Sequence, residues 1–66
     1  MNDHKFIQLW DDCVGKPGYV KSVWSALHVR IYRACAANDQ TAYDQILSEA
    51  QAVRDGLVSA REAASS

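Results

Sequence analysis

Little in this 66-residue chain resembles a scaffold built on covalent or metal staples, because only Cys13 and Cys35 are available for crosslinking. Two cysteines fall far below the density of a disulfide-framework secreted domain, so a reducing, cytoplasmic setting is the expectation. No apolar run approaches the roughly 20 residues a membrane span needs, and the segment from Met1 to Asp12 lacks the unbroken hydrophobic stretch of a signal peptide. One proline and three glycines leave few places where the chain must turn. Excess charge of one sign is missing too. Seven basic against eight acidic residues give a net charge of -1 and a pI near 6.0, without the basic footprint of a dedicated polyanion binder.

Size is the other constraint. A chain this short buries only about 60% of the surface its unfolded form exposes, so it forms one domain of marginal stability. Such chains usually add oligomerisation or a bound target, and a homodimer or a protein partner is expected here.

What the chain does have is helical periodicity. The clusters Gly15-Lys16-Pro17-Gly18 and Asn38-Asp39-Gln40 divide it into three stretches. In the first, Phe6, Leu9, Trp10 and Cys13 follow the i, i+3, i+4, i+7 rule, with Asp3 as an N-cap and Gly15 as a C-cap, predicting a helix over about 3–14. The second runs over about 18–37 and contains no acidic residue. Val20, Trp24, Leu27, Ile31 and Ala34 form its seam, while the far side, with Val29, Tyr32 and Ala36, is only weakly polar. A helix apolar around most of its circumference is covered on more than one side, which makes this the central element. The third stretch, about 39–63, carries Tyr43, Ile46, Ala50, Val53, Leu57, Ala60 and Ala64 at alternating steps of three and four. Thr41 and Asp44 have capping-box spacing and compete with Asn38 as its start.

Assembled, these stretches read as an all-α fold: a short N-terminal helix plus a long antiparallel helical hairpin, expected to be dimeric. Core positions are Phe6, Leu9, Trp10, Val20, Trp24, Leu27, Ile31, Tyr43, Ile46, Leu47, Val53 and Leu57. At about 24 residues the third helix outreaches the second, and the stripe of Leu57, Ala60 and Ala64 is left for a dimer partner or another protein.

Charge is unevenly distributed. Residues 1–15 carry one lysine against three aspartates, residues 16–37 carry four basic residues and no acid, and residues 38–66 carry two arginines against five acids. A basic helix between acidic neighbours accounts for most of this pattern as an ordinary solvated arrangement. Its functional use would be to grip an acidic protein surface through Lys16, Lys21, Arg30 and Arg33. Tyr32 beside Arg33 and Val29 has the composition of an interface hot spot. Nucleic acid is the competing partner, since the Gly15–Gly18 turn ahead of a basic helix has the look of a helix-turn-helix with Ser22, Ser25 and His28 near bases. The apolar outer face of that helix argues against it.

Other chemistry finds weaker support. His4, Cys13, His28 and Cys35 are the ligand types of a zinc site but lack its spacing. Cys13 with either histidine, or Asp11 with Asp12, would be needed for catalysis, and adjacent helical residues point about 100° apart. No catalytic residue and no cofactor is therefore expected. The resulting expectation is a small non-enzymatic regulator or inhibitor that docks on a partner through Val29, Arg30, Tyr32, Arg33, Leu57, Ala60 and Ala64. Small regulators carried by phages and other mobile elements offer a parallel, by size and class alone. The alternative is a small nucleic-acid-binding transcriptional regulator using the basic second helix.

Overall fold

A computed structural model describes the backbone of residues 2–65 and the side chains of residues 2–57. It is all helical, with α1 (His4–Cys13), α2 (Lys21–Ala36) and α3 (Gln40–Ser65), and has no strand among the described residues. None of its helices is long and apolar enough to cross a membrane among the described residues.

Local chemistry accounts for where each helix stops. After Cys13, Lys16 N donates to Cys13 O at 3.1 Å across Val14 (φ -60, ψ 129) and Gly15 (φ 81), the geometry of a type II turn. A second turn follows at once, Tyr19 N donating to Lys16 O at 3.1 Å, with Pro17 second and Gly18 (φ 85) third. These turns consume the residues expected to open the second helix. Because Gly18 is left-handed and Val20 extended (φ -126, ψ 107), α2 begins at Lys21 rather than at Gly18.

The α2–α3 link is tighter. Ala37 is the C-cap, Asn38 takes φ 54, and the Asn38 N to Cys35 O and Asp39 N to Ala34 O bonds of 3.1 and 2.9 Å form a Schellman motif. Asp39 then serves the next helix, its Oδ1 accepting from Ala42 N at 3.1 Å. Asp39 is therefore the N-cap of α3, in place of the Thr41–Asp44 box.

The core runs between all three helices. Phe6, Cys13, Trp24, Ile31 and Ala50 are fully buried, with Leu27, Ala34, Tyr43 and Ile46 around them. Leu9, Trp10, Leu47, Val53 and Leu57 pack against this cluster while partly exposed. Val20 departs from expectation: it lies before α2, in extended backbone, and is 50% exposed, so the helical seam does not include it. Aromatic rings concentrate where α1 meets α2. Phe6 contacts Trp10, Trp24 and His28 with centroids 5.9, 5.7 and 5.7 Å away. The His28 ring lies 7° from parallel to Phe6. Edge and stacked pairs of this kind contribute about 0.5 to 1.5 kcal/mol beyond their burial.

Two hydrogen bonds tie the residues before α1 to the other helices. The Asp3 carboxylate, which makes no side-chain cap bond to its own helix, meets His28 Nε2 at 3.2 Å, and the Tyr43 hydroxyl donates to Asn2 O at 2.7 Å. A third bond, Trp10 Nε1 to the Tyr19 hydroxyl at 2.7 Å, pins the loop after α1 to that helix.

Candidate protein-binding surface

Five large apolar side chains stand exposed among the described residues, Val14 (54%) after α1, Val20 before α2, and three on α2. Val23, Val29 and Tyr32 of α2 are 40, 50 and 70% exposed, and Val20 lies immediately before them. Val29 and Tyr32 stand outside the core because Trp24, Leu27, Ile31 and Ala34 occupy the inner side of the same helix, which Val23 borders. At 100° per residue Val29 points almost directly away from that seam, with Tyr32 and Arg33 to either side of it. Arg33 is exposed and has no carboxylate within salt-bridge distance among the described residues. Arg30 is differently placed: its Nη2 meets Glu49 Oε2 on α3 at 2.8 Å. Both partners of that pair are nearly half exposed, so it contributes at most about 1 kcal/mol and can be exchanged for a partner's carboxylate.

On α3, Leu57 already has neighbours within the chain. It packs against the core, with its Cδ2 2.8 Å from the position a Cβ on Gly18 would take. Ala60 and Ala64, the remainder of the expected stripe, lie outside the residues whose side chains are described.

Among the described residues, two grooves flank α3. One, of 360 Å³, lies between α2 and α3 next to their link, with Arg30 and Arg33 on its rim and Ala34, Ala37, Ala42 and Ile46 below. The other, of 370 Å³, lies between α1 and α3, where Leu9 and Leu47 are overhung by Lys5, Gln8, Asp12 and Arg54. Arg54 Nη1 meets Asp12 Oδ2 at 3.3 Å in this second groove.

His28, a candidate for base contact and for metal or proton chemistry, is turned toward α1 and engaged with Asp3, Phe6 and Trp10. His4 is exposed at the start of α1. Both thiols are free, Cys13 in the core and Cys35 partly exposed. Burial pushes the Cys13 thiol above its ordinary value of 9.0, against the smaller opposing pull of Lys16 and Arg54. No group of three or more His, Cys, Asp or Glu side chains converges as metal ligands would among the described residues. The roles of Asp3, Tyr19 and His28 in tying the molecule together escaped sequence reasoning, because their partners are distant in the chain or lie across a turn.

Comparison adds no relative. No family model, curated protein or solved structure matches the chain.

Proposed function

We propose that this chain is a small non-enzymatic regulator or inhibitor that acts by docking the outer surface of α2 on a partner protein. The observation that carries this reading is the cluster of Val29, Tyr32 and Arg33: two apolar side chains at least half exposed, beside a cation with no carboxylate partner among the described residues. Apolar surface that folding leaves in water is covered when another protein docks, and Tyr and Arg are the side chains that most often dominate such contacts. In this reading α2 and α3 form an antiparallel hairpin that presents the surface rigidly. The three-residue link, the Arg30–Glu49 pair and the approach of Gly18 to Leu57 support that arrangement. A second copy associating along the α3 stripe of Leu57, Ala60 and Ala64 would add the burial that a chain of this size lacks.

The test begins with a photo-crosslinking residue at Ser22, on the rim of the patch, to capture the partner in the source cell. Calorimetry on the purified pair follows. Tyr32→Ala and Arg33→Ala should each weaken binding at least tenfold, an interface hot spot being worth about 2 kcal/mol or more. Unchanged affinity in both would reject this surface. Binding to random-sequence DNA that falls steeply between low and moderate salt would favour the nucleic-acid reading instead. A melting temperature that rises with protein concentration would mark the homodimer.

A further inference from the structure

α1 is joined to the rest of the molecule by the seven residues 14–20, of which only Lys16 and Tyr19 are half-buried while the other five stand exposed. Two backbone bonds fold them into consecutive turns, and Gly15 and Gly18 take φ of 81 and 85 to close those turns. An extended chain requires neither angle. Pro17 suits both states, since its fixed φ of about -65° serves the second residue of a turn and an extended segment alike. Drawn out, the seven residues reach about 23 Å. That exceeds the 18 Å breadth of the molecule, so the connection is long enough to carry α1 clear of its own α2 and α3.

What holds α1 in place is supplied by the other two helices. Phe6 lies against Trp24 and His28 of α2, and the Asp3 carboxylate meets His28 Nε2 at 3.2 Å. From α3, the Tyr43 hydroxyl donates to Asn2 O at 2.7 Å and Arg54 Nη1 donates to Asp12 Oδ2 at 3.3 Å. Among the described side-chain bonds, only that of Trp10 Nε1 with the Tyr19 hydroxyl runs between α1 and the connection. The contacts with α2 and α3 have the same geometry whichever copy provides α1. The seat therefore selects a helix sequence and is indifferent to the chain that carries it.

We infer that two copies of this chain exchange α1, each seating its helix on the α2 and α3 of the other, so that the homodimer forms by reciprocal exchange. Exchange keeps the core of each unit and releases both left-handed glycines in each chain. It also sets the two connections across the two-fold axis, where Val14 and Val20, 54 and 50% exposed in the closed form, gain cover. Pairing through the outer face of α2 is less favourable, because every charged residue of that helix is basic and like charges would meet. Exchange leaves Val29, Tyr32 and Arg33 in the open, so it stands or falls separately from the partner-binding reading.

The experiment unfolds and refolds isotope-labelled and unlabelled chain together at about 1 mM and collects isotope-filtered nuclear Overhauser spectra. Contacts of Phe6 with Trp24 and of Asn2 with Tyr43 should appear between chains. Gly15→Ala is the decisive variant, because no atom lies within 4 Å of its new Cβ and it strains only the left-handed turn of the closed form. It should tighten the dimer about thirtyfold or more, two turns being relieved per dimer, while the dilute monomer melts earlier. The inference is overturned if wild type and Gly15→Ala both stay monomeric at about 1 mM. It is overturned equally by a dimer whose Phe6–Trp24 contacts all lie within one chain, or by one whose dissociation constant Gly15→Ala leaves unchanged. A dimer with contacts only within one chain would assign self-association to the α3 stripe instead. None of these outcomes bears on the affinity of a partner protein for the outer face of α2.

Discussion

Glycine illustrates how one residue type answers to three different constraints in this chain. Gly15 and Gly18 both have left-handed φ, but nothing lies within 4 Å of a Cβ built on Gly15, whereas one on Gly18 would meet Leu57 Cδ2 at 2.8 Å. Gly15→Ala should therefore cost about 1 to 2 kcal/mol of backbone strain alone. Gly18→Ala adds overpacking and should cost about 2 to 4 kcal/mol. Gly56 is helical and open, so Gly56→Ala should stabilise by about 0.5 to 1 kcal/mol. Urea midpoints of the three variants check this ordering, and equal losses for Gly15 and Gly18 would show that Leu57 does not press on the turn. Burial separates another pair. Trp24→Ala should cost about 3 to 5 kcal/mol because the indole is fully buried. Val20→Ala, at a side chain half in water, should stay within about 0.5 kcal/mol in the same experiment.

At the scale of the element, α1 is ten residues long and too short to be helical alone. Its stability comes from packing Phe6 into the core and from the two bonds that hold Asp3 to His28 and Asn2 to Tyr43. Removing these should loosen α1 before the rest of the molecule. Hydrogen exchange is the suitable measurement: in His28→Ala the α1 amides should lose protection while those in the middle of α2 keep theirs. Tyr43→Phe removes only the hydroxyl bond and should cost about 1 kcal/mol. Uniform loss of protection across all helices in His28→Ala would mean that α1 does not open separately. The two connections differ in character as well. Paired type II turns demand glycines at positions 15 and 18, while the α2–α3 link uses Asn38 in the left-handed conformation that Asn tolerates better than other side chains.

Across the whole molecule the dimensions are 43 × 18 × 15 Å, set by α3, whose 26 residues span about 39 Å against about 24 Å for the 16 of α2. So slender a body buries few residues completely, and two of its core groups are titratable. Burial is the main cause that raises Cys13 above 9.0 and Tyr43 above 10.0, with Cys35, Asp3 and Asp44 adding to the second. Each group keeps its proton more tightly in the folded chain than in the unfolded one. Their contribution is therefore complete below about pH 9 and is lost as pH rises through the folded values. Melting temperature should be insensitive to these groups at neutral pH and fall on the alkaline side, first through Cys13 and then through Tyr43. Cys13→Ala should remove the earlier part of that fall, and a wild-type alkaline profile in that variant would assign the loss elsewhere.

Periodicity alone was enough for three helices, most of the core and the outward position of Val29, Tyr32 and Arg33, because spacing at 3.6 residues per turn is a local property of the chain. The turn chemistry of Gly15, Gly18 and Asn38 was legible in part. Sequence marked where the chain bends, but the pair of turns took up residues through Val20 and delayed α2 to Lys21. Only the tertiary structure decided that Arg30 pairs with Glu49 while Arg33 meets no carboxylate among the described residues, and that His28 faces Asp3 and Phe6. Those outcomes depend on which residues far apart in the chain come within a few ångströms. Helical spacing settles which face of its own helix a side chain occupies, whereas its partner is set by how the other helices cross it.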